Sequence, residues 1–378
     1  MKKILYLSRS GAYGGMEKHI LDLINAVKQD YQVHIFCADG PMSKEYLRSS
    51  ATVRYVVPTN SFDFAYMKKV REYVLNNQIN TVHTHELEVS ILGLIAVVNL
   101  KNVKKIMHIH TPITSWKHSL TGMLFKAPFN FIANFIVGNF IADKVIALTE
   151  PIKVERVSKE LINSHKVVMI PNSINTDDFI VANKEKSSFR DKILDKYKIP
   201  KGKIIIGNLS RLTKEKGQDL LINAFASVSK NKHDIYLIIA GGGQLEEEYN
   251  KLLETLGIKD QCVITGIFNE EEKIKLYSAF DYFVFPSLAE GFGYVLVEAM
   301  SAGLPILSSD ISVLKDVSNN KVNFFKSGNV QDLSAKLAEL INTNFNKQDL
   351  QDKYNTVLSK YTFTSFKNNY LSLYNSLF

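Results

Sequence analysis

Two glutamates eight residues apart carry the strongest chemical pattern in this chain. They lie in Pro286-Ser287-Leu288-Ala289-Glu290-Gly291-Phe292-Gly293-Tyr294-Val295-Leu296-Val297-Glu298-Ala299-Met300. The apolar run Tyr282–Pro286 reads as a strand and Gly293–Ala302 as a helix. Glu290 then falls at the helix N-terminus and Glu298 about two turns inside it. The amides of Gly291, Phe292 and Gly293 become helix-start donors, suited to an anion or to sugar hydroxyls. A carboxylate beside them can accept from a polyol. The plainer alternative is that Glu290 only complements the helix dipole while Glu298 sits on a solvated face.

A second group follows another strand, in Gly207-Asn208-Leu209-Ser210-Arg211-Leu212-Thr213-Lys214-Glu215-Lys216-Gly217. A guanidinium fork and an ammonium flanking one turn suit a diphosphate; the alternative is a solvated basic loop. A third, Gly11-Ala12-Tyr13-Gly14-Gly15-Met16-Glu17, follows the first strand. Its spacing is not the dinucleotide fingerprint. It fits close backbone approach to a ligand, or a bare strand-to-helix turn.

Histidine is the fourth signal. Seven of the nine histidines fall in the first 118 residues. His83-Thr84-His85-Glu86 and His108-Ile109-His110-Thr111 each place two histidines on one side of a strand end. A zinc site and metal-assisted hydrolysis are conceivable there. No third cluster with ligand spacing follows downstream, so the expectation is no metal. The chain also has no D-x-D, no G-x-x-x-x-G-K-[ST] and no G-x-S-x-G. Phosphate charge would have to be met by Arg, Lys and helix dipoles.

These groups need a scaffold, and the hydrophobic pattern supplies one. Strands are expected at Ile4–Ser8, Val33–Cys37, Thr81–His83, Ile106–His108, Val145–Leu148 and Val167–Ile170, with a helix at Met16–Val27. The alternation restarts with strands Lys203–Asn208, Ile235–Ala240, Val263–Thr265, Tyr282–Pro286 and Pro305–Ser308. Helices Asp219–Val228, Gln244–Leu256, Glu270–Ala279 and Gly293–Ala302 fall between them. Short apolar runs separated by helices imply parallel sheets covered on both faces. The polar stretch 181–201 reads as an exposed connection with a short helix. Open α/β sheets bind ligands beyond the carboxyl ends of their strands. Two such domains face to face would hold a ligand in the cleft between them.

Composition agrees with two domains. The chain has 378 residues, 46% hydrophobic and 22% charged, which excludes disorder and collagen-like repeats. Two distant cysteines exclude a disulfide scaffold and fit a reducing compartment. The N-terminus is too short in apolar residues for a signal peptide. Ala127–Ala142 is uncharged but shorter than the ~20 residues of a membrane span. Asn130, Asn134 and Gly138 give it one polar face.

Glu290–Pro305, EGFGYVLVEAMSAGLP, resembles the E-x7-E signature of retaining GT-B glycosyltransferases of family 4. The similarity extends to Gly14–Glu17, His110, Val168–Asn175, the Arg211/Lys216 loop, Ala240–Gly243, Thr265-Gly266 and the C-terminal helix. Ser173 departs from the family's usual Gly after Pro-Asn, and Phe replaces Trp near the last helix. The resemblance implies a GT-B fold of two Rossmann-like parallel-sheet domains facing across a cleft. Residues 1–180 plus 358–378 would form the acceptor-side domain, and 181–357 the donor-binding domain.

It further implies a UDP- or GDP-linked sugar as donor, a glycan or lipid-linked glycan as acceptor, and a role in surface polysaccharide or glycoconjugate synthesis. Arg211 and Lys216 would neutralise the leaving diphosphate, and Glu298 would take the ribose hydroxyls. Glu290 with Gly291, Phe292 and Gly293 would hold the sugar. Gly266 and Phe268 would line the base. Gly14 and Gly15 would approach the diphosphate, and His110 the sugar. Neither a cofactor nor a metal is implied. An epimerase or hydrolase on the same scaffold, a non-catalytic sugar-nucleotide-binding subunit, and a metallohydrolase are the competing classes.

The net charge of +8 is uneven. Residues 1–180 carry 21 Lys+Arg against 15 Asp+Glu, a net +6, and the remainder 25 against 23, a net +2. With Trp116, Lys117, Lys126 and the Phe-rich stretch, this suggests a cytoplasmic protein resting on an anionic membrane face. The alternative is that Phe129–Phe140 is a core helix. Nucleic acid is not an expected partner.

Overall fold

The computed structural model describes residues 1–113, 125–176, 178–179 and 185–378. It divides into two compact units, Met1–Ser173 with Phe363–Phe378, and Ile174–Thr362. Sequence reading put the boundaries at 180/181 and 357/358. They fall elsewhere because Ile174 N–H donates to the Tyr361 carbonyl at 2.8 Å. Tyr361 is itself held by its hydroxyl on Val317 O and by its ring edge-on to Phe292. The crossing therefore occurs at Ile174 and Phe363, between residues already anchored in the second unit.

The first unit holds a seven-stranded sheet in the order β3-β2-β1-β4-β5-β6-β7. Its strands are β1 (Lys2–Leu7), β2 (Tyr31–Cys37), β3 (Thr52–Tyr55), β4 (Thr81–His85), β5 (Lys104–His108), β6 (Lys144–Ala147) and β7 (Val167–Met169). All pair in parallel. β1 is fully buried from Ile4 to Leu7, as expected of a central strand covered on both faces. Its helices include α1 (Gly15–Val27), α2 (Pro41–Arg48), α3 (Phe64–Asn76), α4 (Leu87–Ala96), α5 (Ala127–Ile136) and α6 (Glu150–Ser158). The final helix, Phe363–Ser376, buries Phe366, Tyr370 and Tyr374 in the core formed by β1, β2 and α1.

The second unit holds a six-stranded parallel sheet in the order β10-β9-β8-β11-β12-β13. These are β8 (Ile204–Leu209), β9 (Ile235–Ala240), β10 (Cys262–Ile264), β11 (Tyr282–Phe285), β12 (Ile306–Ser309) and β13 (Asn323–Phe325). Both sheets run as two halves wound outward from a central pair, β1/β4 and β8/β11. At that pair the connections leave in opposite directions. Within the polar stretch 181–201, the described residues from 185 on are tied into the second unit. Helix Lys186–Lys196 packs on helix Glu270–Ala279, and Arg190 donates to both oxygens of Asp281 and to two backbone carbonyls.

β8 runs beneath Phe280, whose ring leaves no room for a side chain at Gly207. A Cβ there would meet the ring at 2.2 Å. Gly207→Val should therefore destabilise the second unit by about 1–3 kcal/mol or more through overpacking. Denaturant unfolding against wild type measures it; an unchanged midpoint would contradict the packing described.

Candidate functional site

The donor-type residues gather beyond the carboxyl ends of β8–β11. The β8 loop and the β11 loop are tied together at the central pair. Leu288 N–H donates to the Glu215 carbonyl at 2.8 Å, and Ser287 Oγ lies 3.1 Å from the same oxygen. Gly217 makes this approach possible. Its φ is 65°, and a Cβ would lie 2.4 Å from the Pro286 carbonyl oxygen. Across the tie, Lys216 Nζ reaches Glu290 Oε1 at 2.6 Å, and the Ser287 hydroxyl donates to that oxygen at 2.8 Å. Both side chains are mostly shielded from solvent. The ammonium keeps two further donors and the carboxylate a second oxygen, so the pair retains capacity for ligand oxygens.

Glu290, Gly291, Phe292 and Gly293 form the loop into helix Tyr294–Ser301. Gly293 is the N-cap of this helix at φ 87° and makes no side-chain capping bond, while the Leu296 N–H turns back to the Gly293 carbonyl at 3.0 Å. Glu298 lies within the helix and is buried rather than on a solvated face. Lys273 Nζ donates to its Oε1 at 2.7 Å and the Tyr277 hydroxyl to its Oε2 at 3.0 Å. Lys273 also reaches Glu270 at 2.7 Å. Burial opposes the Lys273 charge, but the Glu298 and Glu270 carboxylates outweigh it and raise the pKa. Burial, then Glu298, pushes Tyr277 well above the ordinary phenol range.

The remaining donor-type residues share this edge. Arg211 is exposed in the β8 loop, and its carbonyl accepts from Gln218 Nε2 at 2.7 Å. Gly266, at φ 74°, bridges Gly241, bringing the loop after β10 against the Gly241–Gly243 loop after β9. Phe268 follows, half-buried.

In the first unit, Gly14 and Gly15 open α1, with Gly14 as its extended cap. The two H-x-H pairs stack as strand alternation predicts. His83 lies over His85 at 4.5 Å between ring centroids, and His108 over His110 at 4.0 Å. His110 Nε2 lies 3.4 Å from His85 Nδ1. His19 comes in edge-on from α1, 4.8 Å from His108 and 5.0 Å from His110. Its Nδ1 meets Asn172 Oδ1 at 2.7 Å. Burial depresses every one of these imidazoles, His19 to about 4 despite the Asn172 bond and the others well below the usual range. Glu86, next to His85, has φ 142° and accepts the Arg9 N–H at 2.7 Å. Burial raises its carboxyl to about 7 against that bond.

The Ile109–Ile113 segment carrying His110 is anchored by a buried ion pair. Arg156 and Glu160 are bonded to each other with no exposure. Arg156 donates to the Ile109 and Thr111 carbonyls, and Glu160 accepts the Ile113 N–H at 2.7 Å.

Sequence reasoning missed His19, Asn172, Lys273 and Tyr277. Lys273 and Tyr277 were within reach, since a lysine and a tyrosine four apart share one helix face. His19 sits beside Ile20 on the buried face of α1, a position that periodicity assigns to apolar residues.

Two consecutive doubly wound parallel sheets fit the GT-B class. Comparison with known proteins agrees. Residues 189–357 match the family described as glycosyl transferases group 1, and residues 13–178 match glycosyltransferase family 4. The chain therefore belongs to the family 4-like glycosyltransferases of the GT-B fold. An uncharacterized glycosyltransferase of Methanocaldococcus jannaschii is 28% identical over 65% of this chain, which spans 62% of that relative's length. The alpha-monoglucosyldiacylglycerol synthase of Streptococcus pneumoniae is 24% identical over 78% of this chain and 67% of its own. The solved structure of Anabaena HepE with UDP and glucose superposes with a TM-score of 0.83 over all of both chains, at 18% identity.

Removing the buried cation should be costly. Lys273→Met leaves Glu298 buried beside Tyr277 with no cation, and should destabilise the second unit by about 3–5 kcal/mol. Equilibrium unfolding checks this; a loss under about 1 kcal/mol, the size of an exposed pair, would contradict it.

Proposed function

We propose that the protein is a retaining glycosyltransferase that moves a sugar from a UDP- or GDP-linked donor to a glycan or lipid-linked acceptor. The observation that carries this reading is the Lys216–Glu290 pair bridging the β8 and β11 loops, beside a helix start whose N-cap is Gly293. Developing charge on the leaving diphosphate is assigned to Arg211, Lys216 and the helix-start amides, with no ion at the donor. Glu290, Gly291, Phe292 and Gly293 take the sugar hydroxyls, and Glu298 the ribose. Gly266 and Phe268 face the base.

Retention follows front-face attack. The acceptor hydroxyl bonds to the anomeric carbon as the sugar–phosphate bond breaks, and the leaving phosphate takes the hydroxyl proton. Glu290 serves as an acceptor of hydrogen bonds, not as a nucleophile. Gly14, Gly15 and His110 of the first unit are assigned to the same reaction. The UDP and glucose in the HepE structure support a UDP-linked donor.

The intact set of cation and carboxylate groups favours a catalyst over a non-catalytic binding subunit. Glu290→Ala and Lys216→Ala should each abolish transfer, measured as acceptor-dependent nucleotide release, while keeping a folded circular-dichroism spectrum. Wild-type rates in both would refute the site. Nucleotide release at full rate with no acceptor would favour the hydrolase or epimerase class.

The acceptor reading includes a role in surface glycoconjugate synthesis and contact with an anionic membrane. Among the described residues no helix is long and apolar enough to cross a membrane. The Phe-rich stretch is not a core helix: Asn130 and Asn134 are buried, Asn134 on Glu160, whereas Phe125, Ile132 and Phe140 are 76%, 57% and 73% exposed. Phe62, also exposed, packs on Phe129. Exposed aromatics on a basic unit suit an anionic bilayer surface. Trp116 and Lys117 lie outside the described residues. The diacylglycerol in the Streptococcus relative's name supports a lipid-linked acceptor. Wild type should float with anionic but not neutral vesicles, and Phe125→Ser/Phe140→Ser should lose most of that binding. Absence from anionic vesicles at low salt would sink the membrane contact.

A further inference from the structure

Glycosyl transfer as read above makes no use of the four histidines His19, His85, His108 and His110 as a set. One ring nitrogen from each lies within 4.8 Å of those of the other three. They come from α1, the end of β4, the end of β5 and the segment just after it. His19, His85 and His108 are fully buried. A buried polar atom ordinarily has a partner. Here His85 Nε2 and both nitrogens of His108 have no hydrogen-bond partner. Buried imidazole nitrogens without a partner are costly in a dry core.

One separation is informative. His85 Nδ1 and His110 Nε2 approach to 3.4 Å. Metal–imidazole bonds of about 2.0–2.1 Å in a tetrahedron place neighbouring nitrogens about 3.3–3.4 Å apart. The widest pairs, near 4.8 Å, would have to contract around an ion. Two outer groups already orient the rings. His19 Nδ1 is held by Asn172 Oδ1, which leaves Nε2 with the lone pair, and the Tyr370 hydroxyl 3.3 Å away would have to yield that lone pair to an ion. His83 stacks on His85 and is itself held by the Tyr374 hydroxyl at 2.8 Å. Fixing ligand rings through a second nitrogen is what outer partners do at metal sites.

We propose that His19, His85, His108 and His110 bind one divalent transition-metal ion of the zinc class, which clamps α1 to the ends of β4 and β5 and fixes the ring of His110. An all-imidazole set suits zinc, copper and nickel rather than magnesium or calcium. The ion is placed at the histidines, not at the donor diphosphate; His110 is the residue this site shares with the proposed transfer reaction, and metal uptake is read without that reaction.

The test uses the full chain, stripped with a chelator and titrated with Zn2+, reading bound metal by elemental analysis and thermal unfolding. The expected result is about one Zn2+ per chain and an upward shift of the unfolding midpoint by several degrees. His165→Gln, an exposed histidine elsewhere, should behave as wild type. His108→Gln should lose both the uptake and the shift. No uptake by wild type, or undiminished uptake by His108→Gln, would overturn the proposal. Should His108→Gln fail to fold, Co2+ added to the stripped wild type decides. A visible band of tetrahedral nitrogen coordination supports the site, and absence of any cobalt band overturns it.

Discussion

Everything proposed for the second unit depends on the crossover between β8 and β11. At that pair the chain winds outward in both directions, and in doubly wound sheets such a switch point is where a ligand crevice forms. Such a crevice is useful only if its walls are fixed. The Leu288–Glu215 bond and the Ser287–Glu215 contact fix the backbone, and Gly217 admits the close approach. The Lys216–Glu290 pair then sets a cation and a carboxylate side by side. In a shielded site such a pair is positioned before any ligand arrives, which is what electrostatic stabilisation of a developing charge needs.

Behind that pair, a second layer holds Glu298. Lys273 compensates the buried carboxylate and is compensated in turn by Glu270. The arrangement contributes little net stability compared with a well-packed apolar replacement. The first unit solves a similar geometric problem with different chemistry. Its β4 and β5 ends carry imidazoles instead of a cation–carboxylate pair, and the buried Arg156–Glu160 pair anchors the backbone around His110. The same topology thus positions two unlike sites.

Much of this was legible in the sequence where local pattern decides the outcome. β9 and helix Glu270–Ala279 fall where periodicity placed them, because unbroken apolar runs and an acidic helix start leave few alternatives. β3 and β13 were not foreseen. β3 reads Thr-Val-Arg-Tyr, an edge strand with two exposed residues, and β13 has three residues. The polarity of α5 was read correctly as two-faced, but the sequence does not say which face turns inward. A buried partner for Asn134, Glu160, reverses the usual rule. The loop residues Arg211, Lys216 and Glu290 stand out in sequence because anion chemistry restricts residue type, and the structure brings Lys216 and Glu290 together. Lys273 and Tyr277 share a legible helix face, but their common partner Glu298 is distant in sequence, as is Asn172 from His19.

The central claim is a nucleoside-diphosphate-sugar site in the second unit that uses Glu298. Calorimetric titration of wild type and Glu298→Gln with a panel of UDP- and GDP-sugars tests it most directly. One donor class should saturate a single site in wild type. The variant should bind it about ten- to a hundredfold more weakly, as expected when a charged hydrogen-bond acceptor is lost. Failure of every donor to bind, or equal affinity in the variant, would contradict the account.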